Sequence, residues 1–284
     1  MGGEELRRRV AFSTVFLMLS ACLLAATAMI PPVILVESGS FRMGDTIGGG
    51  RENENPVHKV ILTYNFYIGK YEVTFEEYDL FCESTGASKP DDQGWGRGRQ
   101  PVMNVTWWDA THFCNWLSET EGFPLAYDSQ GSFLDSSGNV TTDVRKVAGY
   151  RLPTEAEWEF ASRGGNLGSG LIYSGSNDVN EVAWYRSNSD ARAREIGTKA
   201  PNELGLYDMS GNLWEWCSDT WYEYSDSVET DPYYSAFVDS GTHRIWRGGS
   251  WGSSEIAVRV SNRNDLYHNY AYSYLGFRIA RTEF

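Results

Sequence analysis

Two acidic residues flank a Gly-Asn turn in an eight-residue string, Asp208-Met209-Ser210-Gly211-Asn212-Leu213-Trp214-Glu215. Backbone carbonyls of such a turn can point inward, and carboxylates and carbonyls are the oxygen ligands that calcium takes. Taken alone the signal is weak, because acidic residues beside a turn are usually solvated. The string predicts an oxygen cage in which Asp208 and Glu215 supply carboxylates.

A second candidate for chemistry lies nearer the C-terminus, where two Gly-rich motifs enclose a run dense in Tyr, Asn and Ser. The motifs are Arg247-Gly248-Gly249-Ser250-Trp251 and Leu275-Gly276-Phe277-Arg278. The enclosed insert, residues 264–274, holds four tyrosines, no Lys or Glu, and no helical or strand period. This composition is typical of a paratope, in which Tyr gives contact area at low entropic cost. The alternative is a polar loop of an ordinary fold.

The cysteines and histidines predict no metal site of their own. Apart from Cys22 there are three cysteines, Cys82, Cys114 and Cys217, and an odd number leaves at least one thiol free or paired elsewhere. Cys114 and Cys217 have the surroundings of buried or disulfide positions, with no pairing favoured. The four histidines show no zinc spacing, so we expect no zinc site.

Length and charge limit the classes of function. The 284 residues are 41% apolar, which is enough for a sizeable core in one domain. A net charge of -14 argues against nucleic acid as a partner, because binding to phosphates needs clustered Lys and Arg.

The N-terminus predicts export. Three arginines, Arg7-Arg8-Arg9, precede an apolar run and the small-x-small sequence Ala26-Thr27-Ala28, which favours a signal peptide over 1–28 and a mature domain over 32–284. A second interpretation uses Leu19-Ser20-Ala21-Cys22 as a lipobox, with Cys22 lipid-anchored at the membrane. An uncleaved anchor is the third. All three place the domain in the periplasm or at the cell surface.

Capping signals predict three short helices in a chain of mostly irregular structure. Thr74, Thr106 and Thr154 each precede an acidic residue at the third following position, which can close a capping box. Strand-like runs lie at 33–36, 41–43, 57–62, 66–68, 246–248 and 276–280. Most of the eleven tryptophans are expected to fill the core, although paired ones could line a sugar site.

Four motifs, in this order, resemble the formylglycine-generating enzyme (sulfatase-modifying factor) family over residues 32–281. They are Tyr150-Arg151-Leu152-Pro153-Thr154-Glu155-Ala156-Glu157-Trp158, the string 202–216, Arg247-Gly248-Gly249-Ser250-Trp251 and Gly276-Phe277-Arg278. The resemblance implies a single irregular α+β domain of the C-type-lectin-like kind. It also implies a calcium site with side-chain ligands Asp208 and Glu215 and carbonyl ligands Gly211 and Leu213.

The oxidase activity of that family converts a substrate cysteine to formylglycine and uses two cysteines after the Gly-Gly-Ser motif to bind Cu(I). Soft thiolates are the ligands that hold Cu(I). In this chain the corresponding stretch, 252–261, contains no cysteine, and Ser253 stands where the first thiol belongs. We therefore expect no copper and no catalytic residue.

A second group on the same fold has a closer layout: the variable proteins of diversity-generating retroelements, whose C-terminal segment is rewritten chiefly at Asn codons. Changing the adenines of such a codon yields Tyr, Ser, Asp, His, Ala, Leu, Ile or Gly. All residues of 264–274 fit that set, as do Gly252, Ser253, Ser254, Ile256 and Ala257, whereas Glu255 does not. Without the DNA, expansion of a loop among paralogues remains the alternative.

The sequence thus predicts an exported, non-catalytic ligand-binding protein whose surface at 251–274 is a candidate for diversification. The predicted contact residues are Trp251, Ser253, Ser254, Ile256, Asn264, Asp265, Tyr267, Tyr270, Tyr272 and Tyr274. The ligand would be an extracytoplasmic protein or glycan. The alternatives are a formylglycine-generating oxidase and a structural domain of the envelope.

Overall fold

The computed structural model describes residues 30–235 and 242–284. The signal peptide, lipobox and anchor predicted within 1–30 lie outside the described residues, apart from Ile30. Residues Pro31–Phe284 form one compact unit. Within the described ranges, no helix is both long enough and apolar enough to cross a membrane.

The α-helices begin where the capping signals predict. Helices α1, α2 and α3 span Phe75–Thr85, Trp107–Glu121 and Glu155–Ser162, and a short α4 spans Val179–Val182. Thr74, Thr106 and Thr154 each accept a hydrogen bond from the backbone N–H three residues ahead, and the acidic side chain there reaches back to complete the box. Local sequence therefore determines where these helices start.

The strands form three small sheets. The strands are β1 Val33–Val36, β2 Gly39–Met43, β3 His58–Leu62, β4 Phe66–Gly69, β5 Trp214–Thr220, β6 Glu229–Thr230, β7 His243–Arg247, β8 Arg263–Tyr267, β9 Leu275–Gly276 and β10 Ala280–Thr282. They pair in the orders β1-β4-β10, β2-β3-β6 and β8-β7-β5-β9. The single run predicted at 276–280 is wrong, because β9 and β10 lie there in different sheets.

The four-stranded sheet positions the C-terminal insert and corrects a second expectation. Strand β8 occupies the start of the insert, where the sequence has no strand period, and pairs antiparallel with β7, with Asn264 opposite Trp246 and Tyr267 opposite His243. Strand β9 closes the insert by pairing parallel with β5. Backbone pairing with neighbouring strands, rather than alternation of side chains, therefore fixes this segment.

Five of the eleven tryptophans are buried and the other six are partly buried, so fewer of them fill the core than the sequence predicted. Trp107, Trp158 and Trp216 are fully buried, and each indole N–H donates a hydrogen bond. Trp107 donates to the Cys217 carbonyl at 2.9 Å and Trp158 to the Glu215 carboxylate at 2.8 Å. Trp216 donates to the Val105 carbonyl at 3.2 Å. Buried arginines lie among them: Arg151, Arg244, Arg247, Arg263 and Arg278. The interior of this domain is therefore unusually charged.

Candidate binding surface on a buried charged frame

Arg247, the first residue of the Gly-Gly-Ser-Trp motif, is a buried anchor. Its guanidinium contacts Glu159 and donates to Glu155 at 3.2 Å, both on helix α3, and also donates to the carbonyl of Val260 at 2.8 Å. The glycines that follow are required by space, because a Cβ on Gly249 would lie 2.5 Å from the carbonyl oxygen of Ala257. The motif therefore locks the turn before the insert onto helix α3.

The two ends of the insert are anchored in the same way. Arg263 donates two hydrogen bonds to Glu155, at 2.7 and 2.8 Å, and Arg278 donates two to Glu215, at 2.6 and 2.7 Å. Burial alone would raise the pKa of Glu155, but the charges of Arg263 and Arg247 hold it below its ordinary value. We call Arg247, Arg263, Arg278 and their three glutamate partners, Glu155, Glu159 and Glu215, the charged frame.

The four tyrosines of the insert lie in one continuous series of ring contacts. Ring centroids are 5.5 Å apart for Tyr267 and Tyr270, 6.2 Å for Tyr270 and Tyr272, and 4.9 Å for the stacked pair Tyr272 and Tyr274. Tyr274 then contacts Trp246 at 6.0 Å, and Trp246 stacks on Trp214 at 4.9 Å. We call these rings, together with Trp251, the aromatic surface.

Exposure along this series falls from the tip of the insert toward the sheet. Tyr270 and Tyr267 are 44% and 37% exposed, Tyr272 and Tyr274 are half-buried, and Trp246 is buried. The outer rings can therefore contact a ligand while the inner rings support them.

Trp251 contacts the C-terminal end of the insert. Its indole N–H donates to the Ser273 carbonyl at 3.0 Å, and its ring packs edge-on against Trp95 with centroids 5.5 Å apart. On strand β8, Asp265 contacts the His243 imidazole, and Asn264 is half-buried. The structure thus brings five of the ten predicted contact residues onto or beside the ring series, namely Trp251, Tyr267, Tyr270, Tyr272 and Tyr274. Asn264 and Asp265 lie next to each other on β8, where adjacent side chains point to opposite faces of the sheet.

The other three predicted contact residues, Ser253, Ser254 and Ile256, are not part of the aromatic surface. The Ser253 hydroxyl accepts from the Ser250 N–H at 3.0 Å, so it closes its own turn. Ser254 is exposed just before a 3-10 helix at Glu255–Val258. Ile256 is 41% exposed and lines a cavity of about 270 Å³ with Ile47 and Tyr173, which none of the four insert tyrosines lines.

His268 is the buried residue of the insert and has a structural environment. Its Nδ1 is 2.8 Å from the Trp108 indole nitrogen, and its carbonyl accepts from the Trp107 N–H at 3.1 Å. These contacts fasten the middle of the insert to the first turn of helix α2. His268 therefore belongs with the scaffold although its residue type fits the Asn-codon set.

The predicted calcium ligands lie in a buried acidic cluster that includes Glu72, a residue the sequence did not single out. Glu72 accepts from the Asn212 amide at 2.6 Å and from the Leu213 N–H at 2.9 Å. Asp208 is buried in left-handed backbone, with φ 58°, and one of its oxygens accepts from the Gly197 N–H at 2.7 Å. Arg278 donates to Glu215, and the charges of Arg278 and Glu215 both act on Glu72 and on Asp208.

Two observations bear on whether this cluster fits a cation. The Oδ1 atom of Asp208 is buried with no hydrogen-bond partner, and burial raises the pKa of Asp208 to about 6. Glu215, by contrast, has its oxygens occupied by Arg278 and by the Trp158 indole. In the described ranges no three His, Cys, Asp or Glu side chains converge with metal-site geometry. Asp208 fits a cation ligand better than Glu215 does, and the calcium site stays a prediction.

The three thiols of the described chain are buried and unpaired. Cys82, Cys114 and Cys217 form no disulfide, and burial raises the pKa of each of them. Each lies on its own element, on α1, α2 and β5 respectively. A thiol whose pKa is raised is a poor ligand for Cu(I), which binds the thiolate.

The order of motifs, the three sheets and the glycine-dependent turns match one known domain. A family model described as sulfatase-modifying factor enzyme 1-like domain matches residues 22–283. The chain belongs to this family. Its fold is the irregular α+β, C-type-lectin-like fold that the sequence predicted.

The chain is similar to proteins that are named for different functions. Chaperone protein LppX of Paenibacillus barcinonensis is 31% identical, over 93% of this chain and 95% of the relative. Formylglycine-generating enzyme of Mus musculus is 30% identical, over 90% of this chain and 76% of the relative. The solved structure of Treponema denticola variable protein 1 has a TM-score of 0.71 and 30% identity, covering 88% of this chain and 95% of that one.

Proposed function

We propose that this member of the sulfatase-modifying factor family is an exported, non-catalytic ligand-binding protein that uses the aromatic surface as its contact face. The observation that carries the proposal is the continuous ring series from Tyr267 to Trp214, exposed at one end and buried at the other. Rigid aromatic anchors supply much binding energy from few residues. The ligand is a protein or glycan outside the cytoplasm.

The charged frame supports this function by keeping the aromatic surface in one conformation. Arg263 and Arg278 hold the two ends of the insert through paired hydrogen bonds to Glu155 and Glu215, and His268 holds its middle. A preorganised face loses less conformational entropy on binding than a flexible loop would. The same anchoring lets exposed positions change without loss of the fold.

The thiol chemistry argues against the alternative, a formylglycine-generating oxidase. Residues 252–261 hold no cysteine, and the Ser253 hydroxyl is already bonded within its turn. The three described thiols are buried, and burial raises their pKa. No pair of soft ligands is therefore presented beside the Gly-Gly-Ser motif.

The pattern of exposure supports a diversified surface. Within the insert, the ten residues other than His268 are at least partly exposed, and all eleven belong to the set reachable from Asn codons. The similarity to Treponema denticola variable protein 1 points the same way. A near-copy of the 251–278 coding sequence beside a reverse transcriptase would support this part of the proposal, and absence of such a copy would remove it.

A calcium ion would complete the scaffold behind this surface. Asp208 and Glu215 would supply carboxylates, and Gly211 and Leu213 would supply carbonyls. The cation would offset the negative charge of the carboxylates of Asp208, Glu215 and Glu72. The unpartnered Oδ1 of Asp208 is the observation that favours it. Its chemistry would be structural, since it lies in the buried layer under the turn.

The proposed function is tested by binding of the purified protein to arrays of bacterial and host glycans and surface proteins. The variant in which Tyr267, Tyr270, Tyr272 and Tyr274 are all alanine is compared with wild type. Tyr67→Ala, which removes a half-buried tyrosine on strand β4, is the matched control. We expect the same ligand spots for wild type and the control, and none for the fourfold variant. Spots that persist in the fourfold variant would favour a structural domain of the envelope.

The oxidase alternative has its own assay. The protein is incubated with copper and a Cys-x-Pro-x-Arg peptide, and the peptide is analysed by mass spectrometry. We expect the cysteine to remain unchanged. Conversion of that cysteine to an aldehyde would overturn the non-catalytic assignment.

A further inference from the structure

A small basic pocket lies beside the turn that carries Trp251, and none of the functions above uses it. It has a volume of about 280 Å³ and is lined by Gln100, Trp184, Arg192, Ala193, Arg194, Glu195 and Thr198. Its lining carries two guanidiniums, of Arg192 and Arg194, against one carboxylate, of Glu195, in a chain whose net charge is -14. A locally positive concavity on an acidic protein attracts anions and repels less than the surrounding surface does.

Two cationic side chains lie near the ring of Trp184, which lines this pocket. The Lys199 ammonium lies 4.2 Å and the Arg194 guanidinium 5.2 Å from the centroid of its ring, and the indole N–H donates to the Thr198 hydroxyl at 2.8 Å. Burial lowers the pKa of Lys199, so its charge lies where water stabilises it less.

Two polar groups of the pocket have no protein partner among the described residues. Within the part of the chain that the structure describes, the exposed guanidinium of Arg192 makes no hydrogen bond or ion pair, whereas Arg194 pairs with Asp190. The Gln100 side-chain oxygen is buried and has no hydrogen-bond partner. A guanidinium binds carboxylate or phosphate through paired hydrogen bonds, and the amide oxygen accepts from a hydroxyl.

The backbone beside the pocket is held in an uncommon conformation. Asp190 and Ala191, neither of them glycine, have φ of 53° and 55°, in the left-handed region. Hydrogen bonds fix this turn: the Ser189 hydroxyl donates to the Trp251 carbonyl at 2.8 Å, and Arg194 Nε donates to the Ser189 carbonyl at 3.0 Å. Such strain persists where surrounding contacts enforce it, and it is concentrated at binding sites.

We propose that this pocket binds the acidic group of a sugar, with Arg192 pairing the anion and Gln100 accepting from a neighbouring hydroxyl. The volume is at the lower limit of ligand pockets, which span about 300–1,000 Å³, and therefore suits a single sugar residue. The lining residue Arg194 donates to the Ser189 carbonyl, and the Ser189 hydroxyl donates to the Trp251 carbonyl, so the pocket borders the turn that carries Trp251. The site is separate from the insert tyrosines and does not depend on what they bind.

The test follows the indole N–H resonance of Trp184, assigned with Trp184→Phe, during titration at constant ionic strength. The probes are D-glucuronate, glucose 6-phosphate and neutral glucose. We expect a saturable shift with either acidic sugar and none with glucose, and the tighter acidic sugar identifies the acidic group. Arg192→Gln should weaken binding about tenfold, because a charge-assisted contact is lost.

Two further variants separate this site from other effects. Arg42→Gln removes a charge from an exposed arginine on strand β2 and should bind as wild type does. Tyr270→Ala alters the aromatic surface and should also leave the sugar affinity unchanged, so failure of the aromatic surface to bind a ligand is distinguishable from failure of this pocket. A shift that never saturates, an equal shift with glucose, or equal affinities of Arg192→Gln and Arg42→Gln would overturn the proposal.

Discussion

The charged frame and the insert it encloses are built on opposite principles. In the frame, Arg247, Arg263 and Arg278 are fully buried, and each contacts at least one glutamate from another part of the chain. In the insert, Tyr267 and Tyr270 are more than one-third exposed and contact mainly other rings. The charged frame therefore fixes the conformation, whereas the insert can vary at its surface.

Loss of a frame arginine should have the largest effect on stability. Arg247→Ala leaves Glu155 and Glu159 buried with less compensation, and we expect the free energy of unfolding to fall by about 3–5 kcal/mol. Urea denaturation followed by tryptophan fluorescence measures it. Arg42→Ala on strand β2 is the matched control and should change stability by about 0.5 kcal/mol or less. Equal losses in the two variants would contradict the role of the frame.

Calcium should stabilise the scaffold by a smaller amount. At a free concentration 100 times its Kd, a cation that binds the folded state alone adds about 2.7 kcal/mol. Thermal unfolding with and without calcium measures this increment, which Asp208→Asn should abolish and Asp226→Asn, at an exposed position, should preserve. An increment that survives in Asp208→Asn would place the ion elsewhere.

The buried scaffold should also make stability depend on pH. Burial raises the pKa of Asp219 from 3.8 to about 7, although the N–H groups of Glu155 and Tyr234 donate to its carboxylate. The folded state therefore binds this proton more tightly than the unfolded state, so stability falls as pH rises from about 4 to about 7. The slope contributed is at most about 1.4 kcal/mol per pH unit.

Denaturation of wild type and Asp219→Asn at several pH values between 4 and 8 measures that slope. Burial raises the pKa of Glu77 to about 7 as well, so the variant should keep part of the dependence and lose the rest. An unchanged slope in Asp219→Asn would show that the carboxylate stays ionised in the folded protein.

A change within the insert should have the smallest effect on stability. Tyr270→Ala removes a 44% exposed ring with two aromatic neighbours, and we expect a loss of about 0.5–1.5 kcal/mol. The same denaturation assay applies, with Tyr67→Ala for comparison. A loss as large as that of Arg247→Ala would abolish the distinction between the two regions.

Features determined by local sequence could be predicted, and those determined by distant partners could not. The helices after Thr74, Thr106 and Thr154 were predictable because a capping box needs four consecutive residues. The bond between Arg263 and Glu155 joins residues 108 positions apart, and no spacing reveals it. The family motifs include Glu155 but not Arg263, so they did not indicate that the two touch.

In the candidate site too, features set by local sequence could be predicted and contacts with distant residues could not. The tyrosines of the insert were identified from composition, whereas their supports Trp214 and Trp246 became visible only through strand pairing. Glu72 meets Asn212 across 140 positions and has no local signal, so the acidic cluster was seen in part. Strand β8 was missed because its hydrogen bonds come from β7 rather than from a period in its own side chains.

If the charged frame determines the fold, exposed positions of the insert are free to vary. This is tested with a library in which 264–274 is randomised among Tyr, Asn, Ser, Asp, His, Ala, Leu, Ile and Gly, with His268 kept. The fraction of displayed members that resists protease is measured. We predict that most members are as resistant as wild type. A library in which only a small minority is resistant would show that the insert itself specifies the fold, and would contradict the claim.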